Sequence, residues 1–130
     1  MKGSILVIDA DKQTCSAVCS LLEAHHYVGI PSYTLADLYP LVEKTSCPLV
    51  MLDLDTVEVD NRYFRDLKKR WPSLFIITLS HRAIHPELKE ALGNYIYACL
   101  SKPVDPDELI YLVEGIFAER TTTEEGFTTS

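Results

Sequence analysis

Apolar positions recur along this chain at two periods in turn, and that alternation predicts the architecture. Ile5-Leu6-Val7-Ile8 is an unbroken branched run, suited to a strand covered on both faces. Over residues 12–25 the period changes: Val18, Leu21 and Leu22 share a helical stripe, with Asp11 as the capping residue. Residues 27–31 read as a second strand. Ser32 to Thr34 offers caps for a helix over residues 35–44, which Pro40 must disturb or restart. Residues 47–53 form the third strand, followed by a polar loop over residues 54–60.

The second half repeats the scheme. A helix over residues 61–70 ends at Trp71-Pro72, where proline forbids continuation. Residues 74–80 are the fourth strand. A helix over residues 85–92 opens with Pro86 and closes at Gly93-Asn94. Residues 97–101 are the fifth strand. The last helix starts at Pro106 and runs to about Arg120, with Leu109, Leu112, Val113 and Ile116 inward. Residues 121–130 are polar and Thr-rich, the pattern of a tail or the start of a linker, so residues 1–120 form the expected domain. Five βα repeats predict an α/β, doubly wound parallel sheet, because parallel neighbours need crossovers of this length.

Composition narrows the function classes. A chain of 130 residues can bury one proper core. The net charge of -7 argues against nucleic-acid binding by this domain, since phosphates would be repelled. No run approaches the roughly 18 apolar residues of a membrane span, and the N-terminus lacks a signal-peptide pattern, so cytoplasm is expected. Cys15, Cys19, Cys47 and Cys99 include no CxxC pair and are expected to be reduced, packed core residues. The four histidines have no metal-ligand spacing.

Candidate chemistry lies at the strand ends. Asp9, Asp53 and Lys102 each follow an apolar run, and the carboxyl edge of a parallel sheet is where ligands bind. The turn Asp9-Ala10-Asp11-Lys12 has no glycine, so it cannot cradle a dinucleotide or form a P-loop. Acids in that turn favour a cation, and oxygen ligands favour Mg²⁺. Asp11 is read as a simple helix cap. Asp9 and Asp53 ask for more, since unpaired carboxylates beside a core are costly.

These residues, together with Ser80 ending the fourth strand and Lys102-Pro103 ending the fifth, resemble the receiver domains of bacterial two-component response regulators. Trp71-Pro72-Ser73-Leu74 and the run from Lys102 to Leu109 fit as well, and the resemblance covers about residues 4–119. It implies a flavodoxin-like sheet of order 2-1-3-4-5 and a signalling switch rather than an enzyme. Asp53 matches the phosphoacceptor, which takes its phosphoryl group from a sensor histidine kinase, a phosphotransfer protein or a small phosphodonor. Lys102 matches the lysine that pairs with phosphoryl oxygens, and Ser80 the hydroxyl that swings to bond them. Mg²⁺ is implied, held by Asp9, Asp53 and the backbone carbonyl of Asp55. Transfer onto a carboxylate needs such cations to offset crowded negative charge.

Several positions depart from the family's pattern. Ala10 stands where a second acid is usual, which should weaken Mg²⁺ binding; the Asp55 side chain is the better substitute, ahead of Asp11. Thr56-Val57 replaces Met-Pro, and Asn61 stands where glycine is usual, a residue that tolerates left-handed backbone. Cys99 replaces the switch aromatic and is expected simply to pack, while Tyr97 points to the same face. Tyr95, Tyr97 and Tyr111 suit the partner face that the family builds from its fourth helix, fifth strand and fifth helix, a surface for a homodimer. Arg62, Arg65 and Lys69 read as a solvated helix face. The rival to the phosphoacceptor reading is an atypical receiver acting as a phosphorylation-independent interaction module. A flavin- or nucleotide-binding enzyme on this fold lacks a phosphate loop.

Overall fold

The computed structural model describes residues 2–129 along the backbone and the side chains of residues 2–120. Ten principal elements follow in strict alternation: β1 (Ser4–Ile8), α1 (Lys12–Ala24), β2 (Val28–Ser32), α2 (Leu38–Thr45), β3 (Leu49–Asp53), α3 (Asn61–Arg70), β4 (Phe75–Ser80), α4 (Lys89–Asn94), β5 (Ala98–Ser101) and α5 (Pro106–Thr129). The strands form one parallel sheet of order β2-β1-β3-β4-β5, as the repeat predicts. Register aligns the carboxyl ends: Ile8 pairs with Ser32 and Leu52, Asp53 with Leu79, and Ser80 with Ser101.

Alternation along each strand builds two cores. Ile5 and Val7 of β1, with Leu49 and Met51 of β3, face α1 and α5, where they meet Cys15, Leu22, Leu109, Val113 and Ile116. Leu6, Ile8, Val50 and Leu52 face the other way, against Leu38, Val42, Phe64, Leu67 and Ala91 of α2, α3 and α4. Each fully buried Leu or Ile contributes roughly 1.5–3 kcal/mol over an exposed one, so this two-sided burial is what holds the inner strands between helices. Gly29 lets α1 close on β2: a Cβ there would lie 2.9 Å from Cys19 Cα.

The structure departs from the sequence expectations where breakers act. Before α2, Thr34 caps a single 3-10 turn, Leu35–Asp37, and the α-helix begins only at Leu38, with Pro40 in its first turn. Pro86 likewise opens a 3-10 turn, Pro86–Leu88, and α4 proper is displaced to Lys89–Asn94. The final helix runs to Thr129 and not to Arg120, with no proline after Pro106 to stop it. Asn61 adopts no left-handed backbone; that conformation falls to His26 (φ 71°) and Ser46 (φ 54°), just past α1 and α2. Asn61 opens α3, Asp60 caps it by accepting from the Tyr63 N–H at 2.8 Å, and the Asn61 amide bridges to Glu87 O and Ala91 N. Arg65 is more than a solvated cation, because its guanidinium forks onto Glu90 at 3.0 and 2.8 Å and so ties α3 to α4.

Candidate functional site

Because all five strands are parallel, their last residues share one edge, and the polar strand-end residues collect there. Asp53 is the final residue of β3 and is 1% exposed, while Asp9, just past β1, is 2% exposed. Ser80 ends β4 and is fully buried; Lys102 follows β5. The Lys102 ammonium reaches across β4 to donate to Asp53 Oδ2 at 2.5 Å. Asp53 Oδ1 accepts from the Asp55 N–H at 2.8 Å. Asp9 Oδ1 accepts from the Asp11 N–H at 2.8 Å and from the Thr56 hydroxyl at 3.1 Å. Asp55 turns toward the far side of the pocket, where its carboxylate meets Ser80 Oγ at 3.3 Å, the His81 N–H at 3.1 Å and Lys102 Nζ at 3.2 Å.

The electrostatics follow from burial and charge. Burial, with the Asp53 carboxylate alongside, raises the Asp9 carboxyl above its ordinary range. Burial alone would also raise Asp55, but the Lys102 ammonium and the His81 N–H together hold it below that range. Lys102 suffers desolvation too, yet Asp53 and Asp55 raise its pKa. Three carboxylates against one ammonium leave the pocket short of positive charge. Oxygen donors in that imbalance suit a hard divalent cation. Among the described residues, however, no three His, Cys, Asp or Glu side chains gather closely enough to hold a metal unaided. Asp9 and Asp53 are the adjacent pair; the Asp55 side chain, expected as a substitute for the acid missing at Ala10, is committed to Ser80, His81 and Lys102. Asp11 stays a cap, accepting from the Gln13 and Thr14 N–H groups.

Two residues of the pocket had no signal in the sequence. Thr56 donates to Asp9 and accepts from the Ala10 N–H at 3.1 Å, so it cross-links the loops after β1 and β3. The His81 backbone N–H is the other, and a backbone donor has no residue signature at all. Cys99 does not pack: three of the cysteines are buried and Cys99 is exposed, because β5 is an edge strand. Tyr97 and Tyr111 are exposed at 46% and 77%, with Tyr97 resting edge-on against Phe75, whereas Tyr95 donates to Glu90. Among the described residues no helix is long and apolar enough to cross a membrane.

No protein-family model matches the sequence, and no curated protein matches it. Solved structures do. A CheY-like response regulator receiver domain protein from Methanospirillum hungatei JF-1 superposes with a TM-score of 0.82 at 19% identity, over 93% of this chain and 98% of that one. The receiver domain of the Francisella response regulator 1452 gives 0.78 at 20% identity, over 91% and 98%. NtrX from Brucella abortus, in complex with ADP, gives 0.81 at 21% identity over 99% of this chain, which spans only 29% of that longer protein. Sheet order, helix placement and these superpositions agree: the chain has the receiver-domain fold of response regulators.

Proposed function

We propose that this domain is a phosphoacceptor switch, taking a phosphoryl group on Asp53 from a phosphohistidine of a sensor kinase or phosphotransfer protein. The observation that carries the reading is the Lys102 ammonium 2.5 Å from a buried Asp53 carboxylate, at the sheet edge where Asp9 and Ser80 also converge. A carboxylate oxygen of Asp53 forms the new O–P bond as the N–P bond of the donor breaks, and the imidazole leaves with the bonding pair. Lys102 offsets the charge on the transferring oxygens, and Ser80 supplies a hydroxyl donor beside them. Asp9, Asp53 and the Asp55 carbonyl would hold Mg²⁺, which when bound supplies further positive charge. With Ala10 contributing no ligand, that affinity is low. Phosphorylation then acts as a population shift, favouring one arrangement of the face built from α4, β5 and α5, where Tyr97 and Tyr111 offer exposed contacts to a partner or a second copy.

The alternative, a module whose interactions ignore phosphorylation, draws on Ala10 and on the engagement of the Asp55 side chain. Intact-mass measurement after incubation with acetyl phosphate and Mg²⁺ separates the two. One added phosphoryl group, lost in Asp53→Asn and increased in Ala10→Asp, supports the switch. No gain in the parent chain at high Mg²⁺, with gain restored only by Ala10→Asp, supports the module.

A further inference from the structure

On its β4 and β5 side the pocket is lined by donors that already hold an anion, and the chain itself provides it. Asp55 Oδ1 accepts from the Ser80 hydroxyl at 3.3 Å, and Oδ2 accepts from the His81 N–H at 3.1 Å and faces Lys102 Nζ at 3.2 Å. The arrangement is walled on the Ser80 and Lys102 side and open at His81: the side chains of Lys102 and Asp55 are 11% and 23% exposed and Ser80 is fully buried, whereas the His81 side chain is 68% exposed. Ser80 is also oriented from behind, its Oγ accepting from the Arg82 N–H at 3.0 Å. A hydroxyl, an amide N–H and an ammonium converging on one carboxylate make a small oxyanion site, with charge-assisted bonds to both oxygens. Under the reading above, Ser80 and Lys102 are the donors that a phosphoryl group on Asp53 would require.

We infer that the Asp55 carboxylate is a resident internal anion, which an external oxyanion or a phosphoryl group on Asp53 must displace from Ser80, His81 and Lys102. The second half of that statement rests on the phosphoacceptor reading; the first does not. Two consequences follow from charge and occupancy. Phosphorylation is opposed, because the incoming group meets both an occupied donor set and a like charge. The switch is also blunted, because Ser80 is bound to an oxyanion before the event as well as after it, and a contact present in both states shifts no equilibrium.

The test uses inorganic phosphate in metal-free buffer, read at the His81 amide by NMR, on the parent chain, Asp55→Ala, Asp55→Asn and Asp55→Ala/Ser80→Ala. Asp55→Asn keeps the shape should the alanine variant fold poorly. Asp55→Ala should move the His81 amide upfield, and phosphate should return it downfield with roughly tenfold tighter binding than in the parent. Removing Ser80 as well should cut that gain below threefold. A His81 amide indifferent to both Asp55 substitutions, or equal phosphate affinity in parent and variants, overturns the inference. Acetyl phosphate labelling run alongside distinguishes the two readings. A gain in phosphate binding without labelling of any variant sinks the phosphoacceptor and leaves the resident anion. Labelling of parent and Asp55→Ala at equal rates, with no gain in phosphate binding, does the reverse.

Discussion

Replacing Lys102 by methionine keeps the length of the stem and deletes the ammonium, which isolates the charge that holds the acid pocket together. Asp53 has no side-chain exposure and Lys102 only 11%, so the pair is largely shielded from water. Removing one partner of such a pair costs about 3–5 kcal/mol, most of it the penalty of stranding the other charge. Asp53 would keep the Asp55 N–H, and the Lys102 site retains some water access, so the low end of about 3 kcal/mol applies. With a urea m-value of about 2 kcal/mol/M, the unfolding midpoint should fall by roughly 1.5 M at pH 7. Neutralising the stranded acid as well, in Lys102→Met/Asp53→Asn, should recover about 2 kcal/mol of that loss. The sign in pH follows from the raised pKa of Lys102: its stabilisation is complete below the ordinary lysine value of 10.5 and fades as pH rises through the higher folded value. Parent and Lys102→Met should therefore converge in alkali. Urea unfolding followed by circular dichroism decides the matter. A loss at pH 7 under about 1 kcal/mol, or a double variant no more stable than the single, would refute the argument.

Asp9→Asn should stabilise the fold at pH 7, because burial and then Asp53 make the folded state bind the Asp9 proton more tightly than the unfolded state does. The contribution of Asp9 to stability falls as pH rises from 3.8 through the raised value, and the asparagine should remove that downward component from the urea-midpoint profile. Gly29→Ala puts a Cβ 2.9 Å from Cys19 Cα, main chain that cannot turn aside, and should lower stability by about 2 kcal/mol in thermal melts. Burial, with Cys15 beside it, pushes the Cys19 thiol up to about 12, and burial raises Cys15 and Cys47 as well. Ellman's reagent should thus find one fast thiol in the native chain, Cys99, and all four only after unfolding; two fast native thiols would contradict the packing.

The architecture is legible along the chain, because period and punctuation are local. Branched runs such as Ile5 to Ile8, separated by amphipathic stretches of crossover length, leave a parallel sheet covered on both faces as the solution that buries them all. The same pattern places Asp9, Asp53, Ser80 and Lys102 at one edge, since a strand end in a parallel sheet has only one place to go. Which of these groups touch is set by the folded chain. Ala10 and Asp55 read alike as ligand questions in one dimension, yet Asp55 is turned by Ser80, His81 and Lys102, donors 25, 26 and 47 positions away. Thr56 reaching Asp9 across two loops, Asn61 bridging to α4 and Cys99 left bare on an edge strand are products of packing between distant elements. Hydrophobic pattern is written along the chain; the partner of a polar group is set by whichever donor the fold carries within 3 Å or so of it.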